Sequence, residues 1–249
     1  MNFLCGEYFK SLCDFCLDEK GFNNVSPTNR LFKEPLIFVK TDYISQFQKF
    51  YLKEPVRIIT HNSDNCIDYR HLDILDNSKI IHWYAQNVNI NHAKLTSIPI
   101  GIANPIWPHG NQKIIKNTIN KKNNKTNLVY ANFTVDTNPE ERIACLNAVK
   151  KNNIEFENKV PFESYLDRLS CSMFSTSPNG NGIDCHKTWE SLYLKTIPIV
   201  TDSINASFYK NLPILLINSW DDFDIKLLSF DLYKKIINKP FYNLEKTFL

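Results

Sequence analysis

The residue pattern predicts an α/β protein with mainly parallel strands, and three observations carry that prediction. Strand-length apolar runs alternate with helix-length runs through most of the 249 residues. Polar loops rich in Asn and Gly follow several of the apolar runs, where parallel sheets place their ligand-binding edge. Clear helix-start signals separate the strands, the strongest being Asn138-Pro139 followed by Glu140 and Glu141.

In chain order, FKSLCDFCLDE has helical apolar spacing through Phe9, Leu12, Cys13, Cys16 and Leu17. Its lone C-x-x-C therefore reads as a buried helical face rather than a metal or redox pair. LIFVK (36–40) is a strand, followed by a helix with Asp42 as N-cap. VRIIT (56–60) leads into the polar loop HNSDNCID, a short helix near 69–75, and a strand in KIIHWYA (79–85). KLTSIPIGIAN adds a short strand. The stretch 111–127 is polar and lysine-rich with almost no apolar periodicity, and reads as a linker. Beyond it, NLVYANF is a strand, IEFEN a short strand, PFESYLDRLS a helix and CSMFSTS a strand. IPIV and ILLIN are further strands, and 222–237 a closing helix.

Two βα series joined by a linker predict two Rossmann-like lobes facing a cleft, residues 1–110 and 128–249, with one continuous doubly wound sheet as the alternative. A net charge of +3 with scattered Lys and Arg argues against nucleic acid as a partner. Seven cysteines without paired spacing point to a reducing compartment. No apolar run reaches bilayer length and the first residues lack signal-peptide character, so the expected location is cytoplasmic and the chain soluble, peripheral membrane contact staying open.

The most informative stretch runs from Met173 to Asp202. In its loop, Gly180 and Gly182 are able to take positive φ and to let backbone approach a ligand. Asp184 is placed as an N-cap. The helix after it offers its N-terminus to an anion. His186, Lys187 and Glu190 are its polar members, Lys187 and Glu190 lying three apart on one face. Lys187 suits phosphate and Glu190 ribose hydroxyls, a surface ion pair being the plainer alternative. Trp189, Leu192, Tyr193 and Leu194 read as core.

The run SPNGNGIDCHKTWESLYLKTIPIV, followed by NLPILLINSWDDF, resembles the donor-binding region of exostosin-like glycosyltransferases. It is less closely similar to the donor region of α-1,3-fucosyltransferases, where a Lys and a Glu follow a similar strand and loop. The resemblance spans about Phe174 to Phe223. It implies a metal-independent GT-B enzyme in which Ser177, Asn179, Gly180, Asn181, Gly182, Asp184, His186, Lys187 and Glu190 hold a nucleotide-sugar donor. That donor would be a substrate, so no cofactor is expected. Lys187 stands where such proteins usually carry Arg.

Sugar transfer to a saccharide acceptor with inversion needs a general base. Asp64 and His61 follow the VRIIT strand and are the first candidates, with His109 in PIGIANPIWPHG the third. Trp83 and Trp107 are either core or part of a sugar-binding wall. Asp222 and Asp224 form a D-x-D pair, read here as the acids that open a helix rather than as metal ligands. A GDP-fucose-dependent enzyme and a non-catalytic nucleotide- or sugar-binding protein are the alternatives to the exostosin-like reading.

Overall fold

A computed structural model describes residues 3–27 and 31–239. The chain is mixed α/β and divides into two compact units, one running to Ile100 and the other starting at Gly101.

The first unit comprises α1 (Gly6–Lys10), β1 (Phe15–Asp18), β2 (Gly21–Asn24), β3 (Leu36–Lys40), α2 (Ile44–Phe47), β4 (Val56–His61), α3 (Leu72–Asp76), β5 (Ile80–Ala85) and β6 (Leu95–Ser97). Its six-stranded sheet has the order β2-β1-β3-β4-β5-β6. All neighbours are parallel except the β1–β2 hairpin, which turns at Gly21 with φ +81°. β3 and β4 are buried along nearly their whole length, as strands covered on both faces must be. Phe9, Leu17, Phe38, Ile58 and Trp83 fill the core. Trp83 Nε1 donates to Thr60 Oγ1 at 2.8 Å, so the indole enters the core with its polar atom satisfied.

Two expectations change here. The segment carrying Cys13 and Cys16 is not one helix: α1 ends at Lys10 and Cys16 lies on β1. Pairing of Phe15–Leu17 with β3 outweighs the local helical spacing, because a parallel neighbour buries that run on a sheet. Both thiols are buried, donating to Phe9 O and Asp18 Oδ2. Asp42 does not cap α2; it lies inside a 3₁₀ turn, Thr41–Tyr43, and its carboxylate accepts from Ser63 Oγ and Asn65 Nδ2. The short helix expected near 69–75 does form, as a 3₁₀ turn at Tyr69–His71 running into α3, capped by Asp68.

The second unit contains α4 (Gln112–Lys121), β7 (Asn127–Tyr130), α5 (Pro139–Lys151), α6 (Phe162–Ser170), β8 (Ser172–Thr176), α7 (His186–Tyr193), β9 (Ile197–Thr201), α8 (Ile204–Ser207), β10 (Leu215–Ile217) and α9 (Phe230–Ile237). Its four strands are parallel in the order β10-β9-β8-β7. On the other side of β7, Ala131 bridges in parallel to Phe156, all that forms of the strand expected in IEFEN. Counting that bridge as a rudimentary strand, the spatial order becomes 2-1-3-4-5, with its switch point between β7 and β8.

Helices cover both faces of this sheet. α5 and α9 share one core cluster with Phe174, Ile197 and Ile199. The neighbouring Ser175 points the other way, its Oγ 2.8 Å from Ser191 Oγ on α7. α6 packs beside α7, where Thr196 Oγ1 donates to Leu169 O.

The stretch expected as a linker, 111–127, is built differently. Asn111 caps α4 through Lys113 N and Ile114 N, and Lys122 ends it with φ +50°. Only Ile115 and Thr118 of this helix are buried, too thin a stripe to stand out among its lysines. The closing helix is also shorter than expected. Asp224 caps a 3₁₀ turn at Ile225–Leu227, and α9 begins after Ser229, whose Oγ accepts from Leu232 N. Among the described residues no helix is long and apolar enough to cross a membrane.

Candidate functional site

The loop from Ser177 to Cys185 leaves the carboxyl end of β8 at the switch point, the position where open α/β sheets form their ligand crevice. Its base is fixed by the sheet. Ser177 N donates to Ile199 O, and Ser177 Oγ lies 2.9 Å from Thr188 Oγ1 on α7. Its far side is fixed by Arg142 on α5, which donates from Nε to Asn179 O (2.8 Å) and from Nη1 to Thr134 O (2.6 Å). Nη2 lies 3.9 Å from Cys185 Sγ. Arg142 thus ties the loop after β7 to the loop after β8.

The glycines serve this closure by a different route from the one expected. Neither Gly180 nor Gly182 has positive φ. Gly180 is small because Arg142 presses on it: a Cβ there would lie 2.8 Å from Nη2. Its carbonyl accepts from Asn138 Nδ2, while its N–H donates to Gly182 O, on a residue that is itself buried. Asn181 is exposed, and Asn179 is half-buried.

Asp184 lies two residues before the helix start at His186, and Cys185 is the N-cap residue. Its buried carboxylate instead accepts from the Trp189 indole N–H, 2.9 Å from each oxygen. Wrapping back onto the helix it precedes takes Asp184 out of the capping role.

Lys187 and Glu190 lie on one side of α7 without forming an ion pair. Lys187 Nζ donates to Asn132 O, just beyond β7, at 2.8 Å and stands 5.1 Å from the centre of the Tyr130 ring. Burial brings its pKa down to about 7, and the Arg142 charge adds to that shift. Glu190 is buried and accepts from Tyr165 OH at 2.7 Å. Burial raises its pKa to about 7, against the lowering pull of Tyr165 and Lys187. Tyr130 OH donates to Glu157 Oε2, and Glu157 pairs with Arg168. Arg142 and Lys187 form no ion pair with any described carboxylate. Arg142 and Lys187 thus stand near the start of α7, each donating to backbone carbonyls.

The residues beginning at Gly101 return to this helix. Gly101 takes φ +67°, and its carbonyl lies 2.8 Å from His186 Nδ1. The His109 ring sits 6.3 Å from His186 and 6.4 Å from Trp107, nearly parallel to the indole. Burial and the Lys159 charge lower the His109 pKa, leaving a neutral imidazole at pH 7.

The other two candidate bases belong to the first unit. His61 is buried at the end of β4, accepting from Asn62 N at Nδ1 (2.8 Å), with Nε2 3.0 Å from Pro99 O. Nδ1 also lies 3.1 Å from Asn62 Oδ1, so both ring nitrogens already have partners. Asp64 is exposed, and its main-chain carbonyl accepts from Asn87 Nδ2. Asp222 accepts from Ser219 Oγ while Phe223 between the two acids is buried, so local capping and packing account for the D-x-D spacing.

Sequence reasoning missed Arg142, Tyr165, Tyr130 and Asn132. Arg142 left one signal, being among only five arginines in a lysine-rich chain. The others act through a strand end and a neighbouring helix, which no local pattern reveals. No family model matches this chain, and no curated protein matches it.

Proposed function

We propose that this chain is a glycosyltransferase of the exostosin-like, GT-B type that moves a sugar from a nucleotide donor to a glycan or lipid-linked saccharide, with inversion and without a metal. The observation that carries the reading is the placement of Lys187 and Glu190 on one side of α7 at the β7/β8 switch point, both with pKa values near 7, beside the guanidinium of Arg142. Lys187, Arg142 and the first turn of α7 hold the diphosphate. Glu190, oriented by Tyr165, accepts from the ribose hydroxyls.

In the transfer, the acceptor oxygen bonds to the anomeric carbon as the bond from that carbon to the diphosphate oxygen breaks. The electron pair leaves on the nucleoside diphosphate, where the two cations stabilise it. The acceptor proton goes to a general base. His109 takes that role here, since its ring is neutral and belongs to the same unit as the donor loop. Asp64 is the carboxylate alternative. One observation favours GDP-fucose over a UDP-sugar: position 187 is Lys, the residue type the fucosyltransferase donor region also carries.

Thermal unfolding in the presence of UDP- and GDP-sugars tests the reading. A ligand at a hundred times its Kd contributes about 2.7 kcal/mol of stability. The expected result is a clear rise in Tm with one nucleotide class, weakened at least tenfold in apparent affinity by Lys187→Met. If no nucleotide of either class raises the Tm, the proposal fails.

A further inference from the structure

We infer that the groove formed by residues 105–113 is a saccharide subsite, with the indole of Trp107 as the platform for the apolar face of a pyranose ring; this rests on the transferase reading, whose acceptor it would hold. The groove is shallow and open, has a volume of about 580 Å³ and is lined by Pro105, Ile106, Trp107, Gln112 and Lys113 among others. Sugars present a flat C–H face and a rim of hydroxyls. They therefore suit a concave site with an open aromatic ring and a few polar side chains at its edge.

Trp107 has that character. It is 56% exposed, whereas Trp83, Trp189 and Trp220 are at most 2% exposed. Its plane lies 15° from that of His109, which braces the ring without hiding it. The chain of rings continues from His109 to His186 on α7, so the groove adjoins the helix that carries Lys187 and Glu190.

The competing occupant is an anionic lipid surface, since Ile106 is 82% exposed and α4 is basic. Against it, one of the three lysines of α4 is already neutralised. Lys121 is taken up by Asp167 and Glu163. Trp107, the aromatic residue that an interfacial anchor would insert, instead lines the groove with its ring nearly parallel to that of His109.

Because the other three tryptophans are buried, solvent-sensitive emission and acrylamide quenching report on Trp107 alone. The full chain is titrated with tetrasaccharides of glucose and of N-acetylglucosamine, in α-1,4 and β-1,4 linkage, without nucleotide. The expected result is a saturable blue shift and at least twofold protection from acrylamide with one of them. Trp107→Phe retains that affinity within about threefold, read by calorimetry, and Trp107→Ala loses at least tenfold. The inference is overturned if none of the saccharides shifts the emission, if Trp107→Ala binds as tightly as the parent, or if phosphatidylserine vesicles protect Trp107 and the saccharides do not. Saccharide binding through Trp107 without nucleotide stabilisation would retain the subsite and remove the transferase; nucleotide stabilisation without a saccharide response would do the reverse.

Discussion

Arg142 and Gly180 hold one another across the switch point: the Arg142 Nη2 atom stands 2.8 Å from where a Cβ on residue 180 would lie, while its Nε donates to the adjoining Asn179 carbonyl. The clashing atom is the end of a flexible side chain, and Gly180 has no positive φ to lose. Gly180→Ala should therefore displace the guanidinium rather than unfold the unit. Stability should fall by about 1 kcal/mol in urea titrations, and Cys185 should react faster with alkylating agents. In a double-mutant cycle with Arg142→Met, the two losses should be less than additive. Full additivity would show that the residues do not act through each other.

The Lys187–Glu190 pair makes stability depend on pH in two opposite ways. Glu190 is raised from 4.5 to about 7, so the folded chain keeps a proton that the unfolded chain releases in that window. Its contribution is greatest below pH 4.5 and is lost as pH rises through 7. Lys187 is lowered from 10.5 to about 7, so its contribution is greatest above 10.5 and is lost as pH falls through 7. Glu190→Gln should thus stabilise the protein at about pH 8.5, on the order of 1–3 kcal/mol, and hardly at all at about pH 4.5. Lys187→Met should stabilise near pH 5.5 by on the order of 1 kcal/mol, the smaller figure reflecting the surface that Lys187 keeps in solvent. Denaturant midpoints across this pH range provide the check, and pH-independent differences for both variants would contradict it.

If His109 is the base, its lowered pKa places the acidic limb of kcat/KM below the 6.5 of an ordinary histidine. Lys159→Met removes one of the two causes and should move that limb upward with little change in the plateau. His109→Ala should reduce kcat by at least about a hundredfold and leave donor binding intact. Should Asp64→Asn produce that loss instead, the base is the carboxylate.

Asp184 and Trp189 join the loop to the helix through one bifurcated contact. Trp189→Phe deprives a buried carboxylate of this donor and should cost about 3 kcal/mol, counting the unmet hydrogen bond and the lost ring volume. Asp184→Asn keeps an acceptor in place and should cost less than Asp184→Ala. Equal losses for the two Asp184 variants, in thermal unfolding, would mean that the contact contributes nothing specific.

The strands were legible because each is a compact apolar run. LIFVK, IPIV and the start of NLVYANF coincide with β3, most of β9 and β7, and the Asn138-Pro139 signal marks the start of α5. What failed were segments where local preference and tertiary pairing disagree. Phe15–Leu17 has helical spacing but joins a sheet, and 112–121 looks unstructured yet forms a helix that buries Ile115 and packs beside α6.

The candidate site divides in the same way. Its loop, and the pair at 187 and 190, are contiguous in sequence, so the residues alone set their spacing on one turn of α7. The partners that give them chemistry come from elsewhere: Arg142 from α5, Tyr165 from α6, Asn132 from the end of β7, and Gly101 and His109 from the start of the unit. The sequence by itself determined which side chains could carry charge, and roughly where along α7. Only the tertiary structure decided that Glu190 is buried and Lys187 partly so, because burial and the distance between charges depend on how separate segments pack, and no spacing along the chain encodes them.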